Sequence, residues 1–492
     1  MSQQTREIRQ RWIITGTLEL LTPAHLSNGD VGHQVDLTLL TDPLDGRPLL
    51  TGASLAGALR NYLNEFTNNY SHKKDPRSGE TLWLENSSGQ GQPKTATELL
   101  FGAARQNDEG DQSPLIVHDA LGKQEAVQIE RRDGVRIDPK TRLAADQAKF
   151  DLNLLAAGTQ FDLCFELVVT EPMLADLTMI EEAMALALYG LQDEQISLGG
   201  RKRRGYGVCK ASEWRLWKFD LTTAAGLKGW LEYGRFNTST PPATDNILTL
   251  LKVNLPADQR DQYELVANFN IDGSVLIRSG FESDFGPDMA HLESRRNGQM
   301  VPILSGTSLA GVIRGQALRI ARTVSGSEAF ATNFVQNLFG YMPAEDEQGK
   351  FKKSASRVWV QETEITGGNK LVQNRVAIDR FTGGALESAL FAEQPVFGGQ
   401  ANIQLTIKSP QDAEIGLLML VLKDLWTGFV PIGGEASVGR GRLQGTFATI
   451  KHKGIEWQLD KNNESSFVEG DAAKLEGFVA AFVQKMKEGG AA

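Results

Sequence analysis

The decapeptide TGASLAGALR at 51–60 returns as SGTSLAGVIR at 305–314, identical at six of ten positions and offset by 254 residues. A capped amphipathic helix start needs a sheet to pack against, so two copies this far apart call for two copies of the surrounding fold. Other landmarks recur in the same order. RWIITGTLELLTPAHL (11–26) answers to YELVANFNIDGSVLI (263–277), both with strand alternation. LFG stands at 100–102 and 338–340, SPLIVHDA (113–120) answers to SRVWVQET (356–363), and GVRID (134–138) to RVAID (375–379). FDLCFELVV (161–169) pairs with ANIQLTIK (401–408), and each half closes on a helix and a glycine turn, LGGRKRRGYG (198–207) and IGGEASVGRG (432–441). The chain is a duplicated domain.

The offset falls from 254 to 238 between the decapeptide and LFG, which assigns the first half an insertion of 16 residues within the polar stretch 68–94, set at about 65–97. NTSTPPATDN (237–246) marks a linker. The expected organisation is a first domain over 1–215, a linker over 216–260, a second domain over 261–450 and a tail over 451–492, with an amphipathic helix at 466–486. The order strand, helix, strand, long loop, strand, helix, glycine turn predicts an α+β chain of two tandem ferredoxin-like, RRM-like domains.

Several classes are set aside by composition. The start MSQQTREIRQ is polar, and the longest apolar run, IGLLMLVLKDLW (415–426), is interrupted by Lys423 and Asp424, so no membrane partner is expected. Two cysteines, Cys164 and Cys209, form no disulfide framework or zinc quartet, and the cytoplasm is the expected location. No P-loop, HD pair or GGDD motif occurs. The net charge of −10 disfavours a generally basic nucleic-acid binder, yet 129–142 holds five basic and three acidic residues, and 199–210 five basic and no acidic ones. Basic stripes on an acidic body are expected.

Within the decapeptides, Gly52 and Gly306 permit a tight turn, Ser54 and Ser308 offer capping oxygens, Gly57 and Gly311 admit close backbone approach, and Arg60 and Arg314 add charge. Such a helix start can hold a phosphate; it can equally be an ordinary capped helix.

The ordered set of xxGxSLxGxxR, LFG and GGxxxxGxG, met twice, resembles the RAMP superfamily, in particular the backbone subunit of type III CRISPR effector complexes. The closest likeness is to the fused double form of type III-D systems. The resemblance covers roughly 11–215 and 261–450. It implies partners: a CRISPR guide RNA, a complementary target RNA and other RAMP-type subunits. It also implies an endoribonuclease that cuts guide-paired RNA at two sites with a divalent metal, Mg2+ by expectation. One aspartate before each helix start would carry the cut or the metal, placing Asp36 and Asp288 in those roles, against the competitors Asp30, Asp42, Asp45, Asp284 and Glu293. His25 matches a guide-contacting position, with Leu276 as its repeat; His33 and His291 are possible helpers or plain loop residues.

GVRID and RVAID match the family's thumb hairpin, which wedges into the guide–target duplex. Arg136, Arg142, Arg375 and Arg380 would meet phosphates there, and Ile137, Ile378 or Phe381 would press on a base. At the glycine turns, Gly199, Gly200, Gly433 and Gly434 would bring amides to RNA, beside Lys202, Arg203, Arg204, Arg440 and Arg442. Two rival readings share this pattern: a guide-binding scaffold that does not cut, and a guide-precursor processing enzyme.

Overall fold

A computed structural model describes residues 7–27, 38–70, 73–74, 81–82, 94–102, 112–124, 127–137, 144–234, 240–279, 286–341, 354–461 and 467–490. In the first half, β1 (Ile8–Leu20), β2 (Leu115–Val117), β5 (Gln160–Thr170) and β6 (Cys209–Asp220) form an antiparallel sheet in the order β6-β1-β5-β2. Alternation in β1 turns Trp12, Ile14, Leu18 and Leu20 inward, and Ile14 sits opposite Phe165 on β5 and Leu216 on β6. The apolar stripes of α1 (Gly52–Asn68) and α2 (Leu177–Gln192) close this core. Between β2 and β5, β3 (Ile129–Ile137) and β4 (Ala144–Leu155) pair as a separate hairpin.

The second half repeats the plan. Here β7 (Gln262–Asp272), β8 (Val358–Val360), β11 (Gln400–Lys408) and β12 (Arg442–His452) run in the order β12-β7-β11-β8, with Leu265 opposite Leu405 and Ile450. The helices α5 (Gly306–Ser325), α6 (Glu328–Phe339) and α7 (Asp412–Trp426) cover it, and β9 (Gln373–Ile378) with β10 (Ala385–Gln394) forms the second hairpin. The chain is thus a mixed α+β protein with several antiparallel sheets. Among the described residues no helix is long and apolar enough to cross a membrane.

Two segments are more structured than their composition suggests. The stretch read as a linker holds the end of β6 and two helices, α3 (Ala224–Glu232) and α4 (Ile247–Leu251). On α3, Trp230 packs edge-on to Phe219 at 5.8 Å with Arg11 stacked 4.5 Å from its ring, while Ile247 and Leu251 of α4 are buried in the first core. In the tail, β13 (Ile455–Asp460) and β14 (Phe467–Glu469) extend the second sheet. The tail helix α8 starts at Ala472 and buries Leu475, Phe478, Phe482 and Met486 in the second core. It is part of the second domain.

The halves meet head to tail. The glycine turn of the first half, Lys202–Arg204, lies on the start of α5 and on β8, and a Cβ on Gly205 would stand 2.2 Å from Glu362 N. Beneath it, Arg132 of β3, 2 % exposed, donates to both oxygens of Glu362 at 2.9 and 3.2 Å, and Arg296 donates to the same carboxylate. Glu130 also binds Arg132 and accepts from Ser294 Oγ at 2.9 Å. Burial alone would lower the Arg132 guanidinium, but Glu362 and Glu130 more than offset it and hold the group charged. At the rim, Lys408 pairs with Glu65 at 2.7 Å, and Tyr70 donates to Gln262 at 3.0 Å.

Removing one member of a buried pair leaves a charge with no partner, at a cost of about 3–5 kcal/mol. Glu362→Ala should therefore lower the unfolding free energy of the full chain by that order, seen as a clear fall in the denaturant midpoint, and open the junction to limited proteolysis. Glu65→Ala, at a partly exposed pair, should shift the midpoint much less.

Candidate nucleic-acid interface

Both helix starts are capped three positions earlier than expected. Thr51 and Ser305 are the N-caps, accepting from the Ser54 and Ser308 amides at 3.3 Å, and the hydroxyls Thr51 and Ser305 donate to Ser54 and Ser308 Oγ at 2.9 Å. Ser54 and Ser308 are recipients of the cap. Gly52 and Gly306 have no room for a side chain, since a Cβ would stand 2.1 Å from Val117 O in one case and 2.1 Å from Arg204 O in the other. Gly57 and Gly311 instead face open space, with nothing within 4 Å.

The head-to-tail junction gathers predicted residues from opposite halves. Arg204 comes from the first glycine turn; Gly306, Ser308 and Arg314 come from α5. Around them lie Arg201, stacked 4.1 Å from the Phe150 ring, Lys202, and Arg203, 5.8 Å from the Trp359 ring. Burial and then the neighbouring Arg314, Arg203 and Arg201 lower Arg204 to about 10. Burial likewise lowers Arg201, Lys202 and Arg203. Glu65 offsets Lys202 and Arg203 in part while itself paired with Lys408. Among the described residues, Arg203 Nε and Arg204 Nη1 are buried without a hydrogen-bond partner. Crowded, desolvated cations of one sign raise the free energy of the free protein, and an anion that reaches them lowers it. The turn thus gathers four consecutive cations beside Arg314, with two buried guanidinium nitrogens that lack a partner among the described residues.

The second glycine turn carries no such cluster. Glu435, Ala436, Ser437 and Val438 occupy the places of Arg201 to Arg204. Arg440, 4 % exposed, is bound inward by Glu393, by Glu435 at 3.0 Å, by Gln373 at 2.9 Å and by Ser274 at 3.3 Å. Arg375 pairs with the same carboxylates at 2.6 and 3.5 Å. Burial, followed by the Glu435 carboxyl, raises Glu393. Arg440 is therefore an internal strut held by carboxylates, while Arg375, a third exposed, pairs with the same carboxylates and keeps part of its guanidinium at the surface.

His25 is also turned inward. It is 5 % exposed, its Nδ1 donates to Asn153 O at 3.0 Å, and its own carbonyl accepts from Gly200 N at 2.9 Å. Leu276 accepts from Gly434 N at 2.8 Å in the same way, so the two are true repeats. Gly199 and Gly433 pack so tightly on those carbonyls that a Cβ would stand 2.5 Å away in each half. These glycines hold the turn to the sheet. His291 is 4 % exposed, accepts from Ile277 N at 3.2 Å and donates to Ile303 O at 2.9 Å, and burial lowers it, so it stays neutral and structural.

Asp288 is exposed, and its Oδ2 accepts from Ala392 N at 2.6 Å, which fixes it at the base of the β9–β10 hairpin. Asp36, Asp30, His33, Asp284 and Arg142 lie outside the described residues, and the Arg136 side chain is likewise not described. Asp42 accepts from the Leu44 and Asp45 amides, Asp45 pairs with Arg47 at 2.7 Å, and Glu293 pairs with Lys370 at 2.5 Å, so these competitors are engaged in local structure. Among the described residues no group of three or more His, Cys, Asp or Glu side chains is placed to hold a metal.

Both hairpins expose apolar side chains. Val135 and Ile137 are about half exposed on β3, as are Val376 and Ile378 on β9, and Phe381 is fully exposed beside the exposed Arg380. Water-facing apolar tips flanked by arginine suit insertion against nucleobases. Arg60 and Arg314 sit on matching turns of α1 and α5.

A search of curated proteins finds no match to this chain. A sequence model of the RAMP superfamily matches residues 17–210 and again 272–444. One matched region falls in each half, together they span most of the sequence, and the chain belongs to the RAMP superfamily.

Proposed function

We propose that this chain is a double backbone subunit of a type III CRISPR effector complex, of the fused kind found in type III-D, that holds guide RNA and cuts complementary RNA. The observation that carries the RNA-binding part is the cradle at the junction, where Arg201, Lys202, Arg203 and Arg204 are desolvated together and two guanidinium nitrogens lack partners. A phosphodiester backbone supplies the missing charge, and sequence is left to base pairing. The strand order fourth, first, third, second in each sheet supports the ferredoxin-like reading. The apolar hairpin tips support a thumb that enters the guide–target duplex.

Cleavage is assigned to Asp36 and Asp288. In this reading a target nucleotide splayed by the hairpin offers its 2′-hydroxyl to the carboxylate. The carboxylate takes that proton, the 2′-oxygen bonds to phosphorus, and the bond to the 5′-oxygen breaks as that oxygen gains a proton from water. The products are a 2′,3′-cyclic phosphate and a 5′-hydroxyl. The bond from Ala392 N to Asp288 leaves its other oxygen to act as base.

Two measurements test these parts. Arg203→Ala with Arg204→Ala should weaken binding of single-stranded guide RNA and flatten the salt dependence by roughly 1–2 units of slope. Arg440→Gln should lower thermal stability but leave that slope unchanged. For cleavage, the assembled complex with labelled complementary RNA, in magnesium or chelator, should lose one product with Asp36→Ala, another with Asp288→Ala, and both with the double variant. Unaltered products in the double variant would leave guide binding as the function.

A further inference from the structure

Asp288 is seated by the end of the second hairpin. Its Oδ2 accepts from Ala392 N at 2.6 Å, Met289–Ala290 runs as a short parallel strand beside Glu393 and Gln394, and His291 N donates to Gln394 O at 3.0 Å. The place of this carboxylate therefore follows the last residues of β10. What fixes those residues is charge. Glu393, fully buried, receives Arg440 and, at 2.6 Å, Arg375. Arg440 is held in turn by Glu435 at 3.0 Å and Ser274 Oγ at 3.3 Å, and Arg375 stands 3.5 Å from Glu435.

The first half fills the same place without charge. Along the repeats, Leu152 stands for Glu393, Tyr206 for Arg440 and Gly134 for Arg375. Leu152, Leu154 and Tyr206 form a small buried apolar cluster with Phe150, whose ring lies so close over Gly134 that a Cβ there would stand 1.9 Å from it. The fold thus accepts either filling, but the two respond differently to loss of a side chain. A gap in an apolar plug leaves a cavity, whereas a missing ion leaves its partner desolvated, and the strand must open to hydrate it. Without Glu393, Arg440 and Arg375 would share the single carboxylate of Glu435.

We infer that Glu393 and Arg440 are positioning residues for Asp288: this buried pair sets the end of β10, and through Ala392 it sets the carboxylate to which the second cut is assigned. The catalytic consequence rests on the proposed cleavage, while the seat itself rests on geometry alone.

The Ala392 amide reports the seat directly, because it is the group that donates to Asp288. In the full chain without RNA, hydrogen exchange over Met289–Leu292 and Leu390–Gln394 should quicken by about tenfold or more in Glu393→Leu. Adding Arg440→Tyr should return it toward the parent rate, since that pair of changes installs the plug of the first half and leaves Arg375 to Glu435, one for one. In the assembled complex with guide RNA, Glu393→Leu should lower kcat for the product that Asp288→Ala removes by roughly ten- to hundredfold. KM for the target and the other product should be unchanged, and Arg440→Tyr should restore most of the loss. Glu393→Gln keeps the shape and removes the charge; it carries the same expectations should Glu393→Leu fail to fold. Three results overturn the inference: parent-like exchange at Ala392 in a folded Glu393 variant, faster exchange there with the second product undiminished, or a loss shared equally by both products. If Asp288→Ala itself removes no product, the cleavage reading fails, and exchange at Ala392 still decides whether the pair seats Asp288.

Discussion

One carboxylate, Glu362, holds the two halves in a fixed relation. It receives Arg132 from the first half and Arg296 from the second, with its side chain fully buried. Neither arginine reaches water easily, so the three groups are stable only together. What the clasp fixes is orientation: it seats the turn Lys202–Arg204 on the start of α5, and that contact creates the cluster of unpaired cations. Without the clasp Arg314 would lie on a surface apart from the turn, and the four consecutive cations of the turn would be solvated and of less consequence.

The two halves share a backbone and differ in charge. Their glycine turns make the same hydrogen bonds to His25 and Leu276 and hold the same left-handed residues, Arg201 and Glu435. On that common frame the first turn gathers cations and the second neutralises its own with Glu393 and Glu435. The division follows from position. The first turn lies inside the chain, where its charge is brought to a second helix start; the second turn faces outward, where a loose cationic loop would attract anions indiscriminately.

Much of the fold was legible because duplication exposes backbone requirements twice. Gly52 and Gly306, or Gly199 and Gly433, recur because a Cβ would strike the chain there, and such constraints survive changes in everything around them. The same logic located His25 opposite Leu276. What could not be read was the pairing of side chains far apart in sequence. Arg132 resembles any arginine on a charged strand until Glu362 is placed beside it, and Arg440 resembles an open phosphate contact until Glu393 closes on it. The helix caps were misread by one residue type: Ser54 and Ser308 drew attention by identity, whereas the caps, Thr51 and Ser305, vary between the copies while keeping the hydroxyl. The folded linker was missed for a related reason. Its Pro- and Thr-rich centre hid Trp230, Ile247 and Leu251, single apolar residues that find partners only on an existing domain.

Fusion into one chain bears directly on a junction built around buried charge. Between separate subunits, desolvating Arg132, Glu362 and Arg296 would have to be overcome along with the entropy of association. A covalent link removes much of that second cost by raising the effective concentration of one face for the other. The connection here is short of slack, because α3 is pinned to the first sheet by Trp230 and α4 is buried against α2. A tethered, pre-oriented junction can therefore carry a desolvated cationic cradle that an untethered one would tend to avoid. That accounts for the placement of the strongest cationic turn at the internal junction, and for the neutral residues at the turn left free.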